Sequence, residues 1–285
     1  MIPGARFFAA LAIALIASSP ACALVVGYAA VGEAVGGHPD VTYFDLLREV
    51  VPDLELEANG AARGGPPLAF RHLADVTCPC DPPEAVYIEG VEAQPIRSEG
   101  RERLLLLAHV SSEGWNLGGT TLLMLFDLEV EPRLIDLADV GVAEEVAFAS
   151  EPLLDLSGDD QAVLIESRHW NSSQDYRTTL IIFLLASKLE LIDDVFTFSD
   201  RGCSYRQVQS PSFEALPALD RPFADIKVRV KAELFLTGEV DCGEDPVELS
   251  IRTLQVTYGW DSTTGRFTPS SDALESLAKE NEQRF

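Results

Sequence analysis

A chain of 285 residues with 46 Asp and Glu against 21 Lys and Arg carries a formal net charge of −25, which argues against nucleic acid and anionic lipid as partners. Its apolar fraction of 47% supplies the core of one large domain or two small ones, and the acidic excess keeps such a body in solution.

Residues 1–23 read as a secretory signal peptide: Arg6 gives the positive start, residues 7–17 the apolar centre and Ala21-Cys22-Ala23 the small-residue cleavage site. That centre is too short to span a bilayer and no later segment reads as transmembrane, so the expected location is periplasmic or extracellular. The alternative is a lipoprotein anchored through an acylated Cys22.

Residues 24–67 read as an N-terminal arm followed by a short helix. Small apolar residues and glycines without a period predict a loosely held segment over 24–37. Helical spacing then places Phe44, Leu47 and Val51 on one face, with Thr42 as cap and Pro52 as stop. Residues 68–285 read as a repeated β-hairpin domain closed by a C-terminal helix. Its first part, to residue 96, is broken by Pro79, Pro82, Pro83 and Pro95 into short, irregular strands.

The repeat is carried by one order of motifs. An apolar run at 104–110, Trp115-Asn116, Thr120-Thr121-Leu122 and Leu134-Ile135-Asp136 is followed by a second run at 162–165, Trp170-Asn171, Thr178-Thr179-Leu180 and Leu191-Ile192-Asp193. Residues 104–110 are expected to pair antiparallel with 121–126, and 163–167 with 178–184. The second strand of each pair is apolar almost throughout, which predicts a central strand covered on both faces. Lys188 and Glu190 predict a tight turn and a shorter third strand.

A fainter third copy runs through 226–236, 249–258, Trp260 and Gly265-Arg266-Phe267. Its first strand alternates apolar residues with Lys227, Arg229 and Lys231, the pattern of a strand with one wet face, so a charge at Val230 is expected to be milder than one at Ile182. Leu274, Leu277 and Ala278 mark an amphipathic C-terminal helix. The fold class that follows is all-β, built of antiparallel repeated hairpin units, propeller-like or irregular, with short helices near both termini; a β-sandwich is the alternative.

Four cysteines follow the leader. An even count in an exported chain points to disulfides, and Cys203 with Cys242 is the expected pair, with Cys78-Pro79-Cys80 as a local bridge or dithiol. The rival pairing ties Cys78 and Cys80 to the third unit. Trp115, Trp170 and Trp260 hold related places beside hairpin loops, where rings serve either as a ligand-stacking platform or as packing that each unit needs. The four histidines share no metal spacing, and no catalytic or nucleotide fingerprint is present.

The stretch Asp155-Leu156-Ser157-Gly158-Asp159 resembles the acidic loop of FG-GAP/VCBS-type repeats. The resemblance implies exported β-repeats and a calcium ion held by Asp155, Ser157 and Asp159, with no other cofactor, although Ser157 stands where Asp or Asn is usual and Asp160 where Gly is. An Asp/Ser/Gly turn that bonds its own backbone is the alternative.

These features lead to an exported, non-catalytic binding or scaffold protein with a protein or glycan partner. A glycan-active hydrolase and an inhibitor or adaptor of a secreted enzyme are the competing classes. A cleft with two carboxylates about 5 to 9.5 Å apart beside one of the tryptophans is what the hydrolase requires.

Overall fold

Short β-branched and leucine-rich runs, closed by Asp, Ser and Gly turns, leave little of this chain for helix. The computed structural model describes residues 28–73, 83–111, 120–236 and 247–284, and among them nineteen strands accompany two helices. The protein is all-β, and its pairings are antiparallel except one.

The N-terminal layer contains β1 (Tyr28–Ala30), β2 (Ala34–Val35), β3 (His38–Thr42), α1 (Tyr43–Arg48), β4 (Glu55–Leu56), β5 (Ala62–Gly64), β6 (Arg71–His72) and β7 (Val86–Ile88). Thr42 caps α1 in a reciprocal box with Asp45, each side chain taking the other's backbone N–H. The segment expected to be loose is held: β1 pairs with β8 (Gly90–Ser98), and Val31 is fully buried. What looked patternless is a strand too short to show a period, followed by a hairpin of β2 and β3.

A six-stranded sheet runs β1-β8-β9-β10-β11-β6, with β9 (Arg101–Val110), β10 (Thr120–Asp127) and β11 (Arg133–Asp139); β6 joins β11 in parallel. An eight-stranded meander follows in chain order: β12 (Glu145–Asp155), β13 (Gln161–Asn171), β14 (Gln174–Leu185), β15 (Lys188–Arg201), β16 (Tyr205–Leu216), β17 (Asp225–Leu236), β18 (Val247–Asp261) and β19 (Arg266–Pro269). Helix α2 (Ala273–Glu282) closes it. Leu104 lies opposite Phe126 and Val163 opposite Ile182, as the repeat requires. The third strand of the second copy is longer than expected, 14 residues in β15 against 12 in β14. Its acidic residues sit on a wetter face and do not end the strand.

Side-chain alternation turns these sheets into a stack. From β10, Leu122, Met124 and Phe126 face the N-terminal layer, whereas Leu123 and Leu125 face Val163, Ile165 and Ile182 of the meander. From β14, Leu180 and Ile182 face that same core, and Ile181 and Phe183 face the opposite way. There they meet Val228, Val230 and Val256, because the meander folds back on itself after β15. The fold-back is abrupt: β15 and β16 pair only at Asp200 with Gln207 and Arg201 with Arg206. Four layers thus enclose three cores, with β10 and β14 buried on both faces. Each fully buried aliphatic side chain there contributes about 1.5–3 kcal/mol.

The Leu-Ile-Asp motif has a geometric meaning. Leu125 lies opposite Asp136 and Phe126 opposite Leu134, so Ile135 is an extra residue; Ile181 opposite Asp193 and Ile182 opposite Leu191 leave Ile192 extra in the same way. Such bulges re-aim the residue beside them. Asp136 accepts from Arg71 and from the backbone N–H of Leu189 at 2.7 Å, tying the six-stranded sheet to β15. Asp193 accepts a short hydrogen bond from the Tyr258 hydroxyl, tying β15 to β18.

Candidate functional site

Where three layers meet, a cleft of about 650 Å³ opens between β6, the β14–β15 hairpin and the β18–β19 hairpin. One wall is aromatic. Trp260 and Phe267 are opposite each other on the β18–β19 ladder, and their rings lie 5.3 Å apart at 70°. Phe183 of β14 meets Phe267 edge-on at 5.6 Å, and Phe223 backs Trp260 at 4.8 Å. Edge-to-face geometry of this kind fixes ring orientation beyond what burial alone does. The hairpin is held by Asp261, whose carboxylate accepts from the Thr263 N–H and the Thr264 hydroxyl, and by Gly265 at φ +65°. Those bonds, the Thr263 N–H first, keep the Asp261 carboxyl below its ordinary range.

The opposite wall is polar. Arg71 clasps Asp136 through two bonds of 2.7 Å and also reaches the Leu189 carbonyl. Burial acts to raise the Asp136 carboxyl, but the Arg71 guanidinium and the Leu189 N–H outweigh it, and the net displacement is downward. His72 follows on the same strand, its Nδ1 2.8 Å from Asp139 Oδ2. The other Asp139 oxygen accepts from the N–H groups of Thr121 and Gly141 at 3.1 and 2.9 Å, so this buried carboxylate is locked in place. A carboxylate is the acceptor here, which puts the proton on Nδ1 and leaves Nε2 as the acceptor nitrogen of the neutral ring. Glu190 and Arg266 complete the rim, both exposed, and Arg266 makes no ion pair among the described residues.

The two described tryptophans are not gathered into one platform. Trp115 lies outside the described residues. Trp170 is 59% exposed and stands opposite Asp175 at one end of β14, whereas Trp260 packs on Phe183 near the other end. Eight residues of strand separate those points, roughly 26 Å at about 3.3 Å per residue. The two rings do share a local place, each next to last in a strand entering a hairpin.

In the acidic loop, Asp155 accepts from Gln161 at 2.8 Å and Arg97 at 3.1 Å. Ser157 donates to Asp160 and accepts the Asp159 N–H. The β8–β9 hairpin docks on the loop, Glu99 N–H donating to the Asp160 carboxylate at 2.8 Å and Gly100 N–H to the Asp159 carbonyl at 3.1 Å. Among the described residues no group of three or more His, Cys, Asp and Glu is arranged to hold a metal ion. Cys203 is exposed in the β15–β16 turn; Cys78, Cys80 and Cys242, and with them the expected Cys203–Cys242 pair, fall outside the described residues. The basic stripe of β17 is neutralised locally, Lys227 and Arg229 on Glu214 and Lys231 on Glu233.

A second groove, about 640 Å³, lies under α2 and collects Asp193, Asp194, Asp272, Glu275 and Glu282 with Tyr258. Burial first, then the Asp193 carboxylate, drives the Tyr258 hydroxyl far above its ordinary pKa. Neither of the described tryptophans, Trp170 and Trp260, lines it.

The pairs His72–Asp139 and Arg71–Asp136 were not visible in the sequence. Their members are 67 and 65 residues apart, and only the recurrence of Leu-Ile-Asp marked one partner. No described helix is long and apolar enough to cross a membrane. No protein-family model, curated protein or solved structure matches the chain. Fold and cleft therefore define it by class, an all-β protein of stacked antiparallel meanders with an aromatic-walled cleft where three layers meet.

Proposed function

We propose that the protein is an exported, non-catalytic binding protein whose recognition site is the Trp260 cleft and whose ligand is a saccharide. The observation that carries this reading is the pairing of an aromatic wall, Phe183, Trp260 and Phe267, with a polar wall in a space of about 650 Å³. Sites for small ligands have that size and that mixture, an apolar body with a few fixed polar groups. Sugar rings present one apolar C–H face and a rim of hydroxyls, and the cleft offers the complement of each.

The distribution of carboxylates favours binding over hydrolysis. Among the described residues lining the Trp260 cleft Glu190 is the one carboxylate, while the hydrolytic mechanism requires two on either side of the bond to be cut. A cluster of five acidic side chains lies instead under α2, in a groove that neither Trp170 nor Trp260 lines. Export rests on the leader at residues 1–23, and N-terminal sequencing of secreted material is expected to start at Leu24.

A panel of neutral and acidic oligosaccharides titrated into the mature chain, with tryptophan emission as readout, tests the reading. Binding to at least one member is expected, with the emission change surviving Trp170→Phe and abolished by Trp260→Phe. A signal that follows Trp170, or no binding by any saccharide, overturns the assignment.

A further inference from the structure

We infer that the saccharide bound in the Trp260 cleft is an acidic one, a uronic acid residue whose carboxylate pairs with Arg266. This inference rests on the reading of the cleft as a saccharide site and adds the charge of the ligand.

The argument is a count of donors and acceptors. Arg71 is spent on Asp136 and the Leu189 carbonyl, so it does not recognise a ligand. Arg266 is exposed on the rim and has no ion pair among the described residues, in a chain whose acidic residues outnumber the basic by 46 to 21. A cation left unpaired on such a protein, in a cleft, is placed for an anion brought from outside. A planar guanidinium meets a carboxylate through two parallel charge-assisted hydrogen bonds, and a neutral sugar has no charge to offer in return.

The remaining polar groups are acceptors. Asp139 accepts from the Nδ1–H of His72, so that in the neutral tautomer Nε2 is an acceptor, and Glu190 accepts at both oxygens. These acceptors, the Thr264 hydroxyl oxygen with them, and one cationic donor around an aromatic wall call for a ligand with an apolar ring face, hydroxyl donors and one carboxylate. A hexuronic acid has all three on one ring, whereas a neutral hexose lacks the anion and a simple carboxylic acid lacks the hydroxyls.

The test is calorimetric titration of the mature chain with digalacturonate and, in parallel, with its neutral counterpart, a digalactoside. The acidic sugar is expected to bind about tenfold more tightly or better, the scale of one charge-assisted contact. Arg266→Gln is expected to remove most of the advantage of digalacturonate over the neutral sugar. Arg266→Lys, which keeps the charge and loses the planar fork, is expected to fall between. Equal affinity for the two sugars in the unaltered protein, or a ratio untouched by Arg266→Gln, overturns the acidic ligand and leaves the cleft a saccharide site. Failure of digalacturonate to bind the folded protein overturns the acidic ligand, whereas the saccharide reading itself falls only if the whole oligosaccharide panel fails.

Discussion

The unit β9–β11 and the unit β13–β15 share the order of their motifs and differ in how each is joined to its surroundings. Both place a bulge at the isoleucine of Leu-Ile-Asp, and both aim the following aspartate at a neighbouring layer. In the first unit residues 128–132 connect β10 to β11, and Asp136 finds a guanidinium and a backbone N–H. In the second the connection is Ala186-Ser187 at φ 49° and 64°, and Asp193 finds a phenol. Left-handed angles at both central residues give the tight turn whose twist matches the strands it joins. The repeat therefore preserves a device for fastening layers, while the partner of the fastener, and with it the strength, varies from copy to copy.

The largest expected effects test whether the two units are equally enclosed. Leu123 and Ile182 are both fully buried in the core shared by the two units, so Leu123→Asp and Ile182→Asp are each expected to cost more than about 4 kcal/mol in urea denaturation. Val230 was expected from its alternating strand to be milder. It is 0% exposed, because the wet face of β17 carries Arg229 and Lys231 while Val230 points into the core between the folded halves of the meander. Val230→Asp is accordingly expected to match Ile182→Asp. A cost several kcal/mol smaller for Val230→Asp argues that the two halves do not close on each other.

Next in size is the contrast between the fasteners. Asp136→Ala takes two hydrogen bonds from the Arg71 guanidinium, which keeps the Leu189 carbonyl, and leaves the Leu189 N–H without its acceptor, and is expected to cost about 2–3 kcal/mol. Tyr258→Phe removes one hydroxyl and leaves the ring in place, at about 1 kcal/mol. Equal costs would mean that the fasteners are interchangeable.

Acid and alkali separate them further. The folded Asp136 carboxyl is displaced below its ordinary pKa, so its contribution is present above the unfolded value, near 3.8, and lost as the pH falls through the folded value. Tyr258 is displaced upward, so its contribution is complete below the ordinary value of 10.0 and lost only as the pH rises beyond it. Asp136→Asn is expected to flatten the acid limb of the stability profile and Tyr258→Phe the alkaline limb, each leaving the other limb unchanged.

The smallest effect concerns the acidic loop that resembles a calcium turn. With Asp155 and Ser157 already engaged in hydrogen bonds within the protein, millimolar calcium is expected to move the thermal midpoint by less than about 1 °C. A rise of several degrees, lost in Asp159→Asn, identifies a calcium site there.

What was legible in the chain was local. Thr42 and Pro52 marked α1, the uninterrupted apolar runs marked β10 and β14 as central, and Leu274 and Leu277 marked the buried face of α2. Short segments were not, since β1 and β6, of three and two residues, are too brief for any period to register. That limit hid half of the candidate site, because Arg71 and His72 enter the cleft only through the parallel pairing of β6 with β11. Trp260 was marked by its hairpin, but whether a ring sits on a shared platform depends on which end of β14 it occupies, which no motif records.

The narrow seam between β15 and β16 sets a scale for opening the molecule. Main-chain pairing across it rests on Asp200, Arg201 and their two partners, while adhesion elsewhere between the halves is made by buried side chains, by Gln209, whose side-chain oxygen accepts the Phe198 N–H at 3.0 Å and whose backbone N–H donates to Ser199 Oγ at 3.0 Å, and by Tyr258 on Asp193. Strands β16–β19 with α2 can thus swing away with their own ladders intact once those side-chain bonds part and the seam unzips. Amide protons of the C-terminal half should then exchange as one subglobal group, separate from those of β13–β15. Because Phe183 lies on one side of that opening and Trp260 with Phe267 on the other, a ligand in the cleft would slow the exchange of strands it never touches.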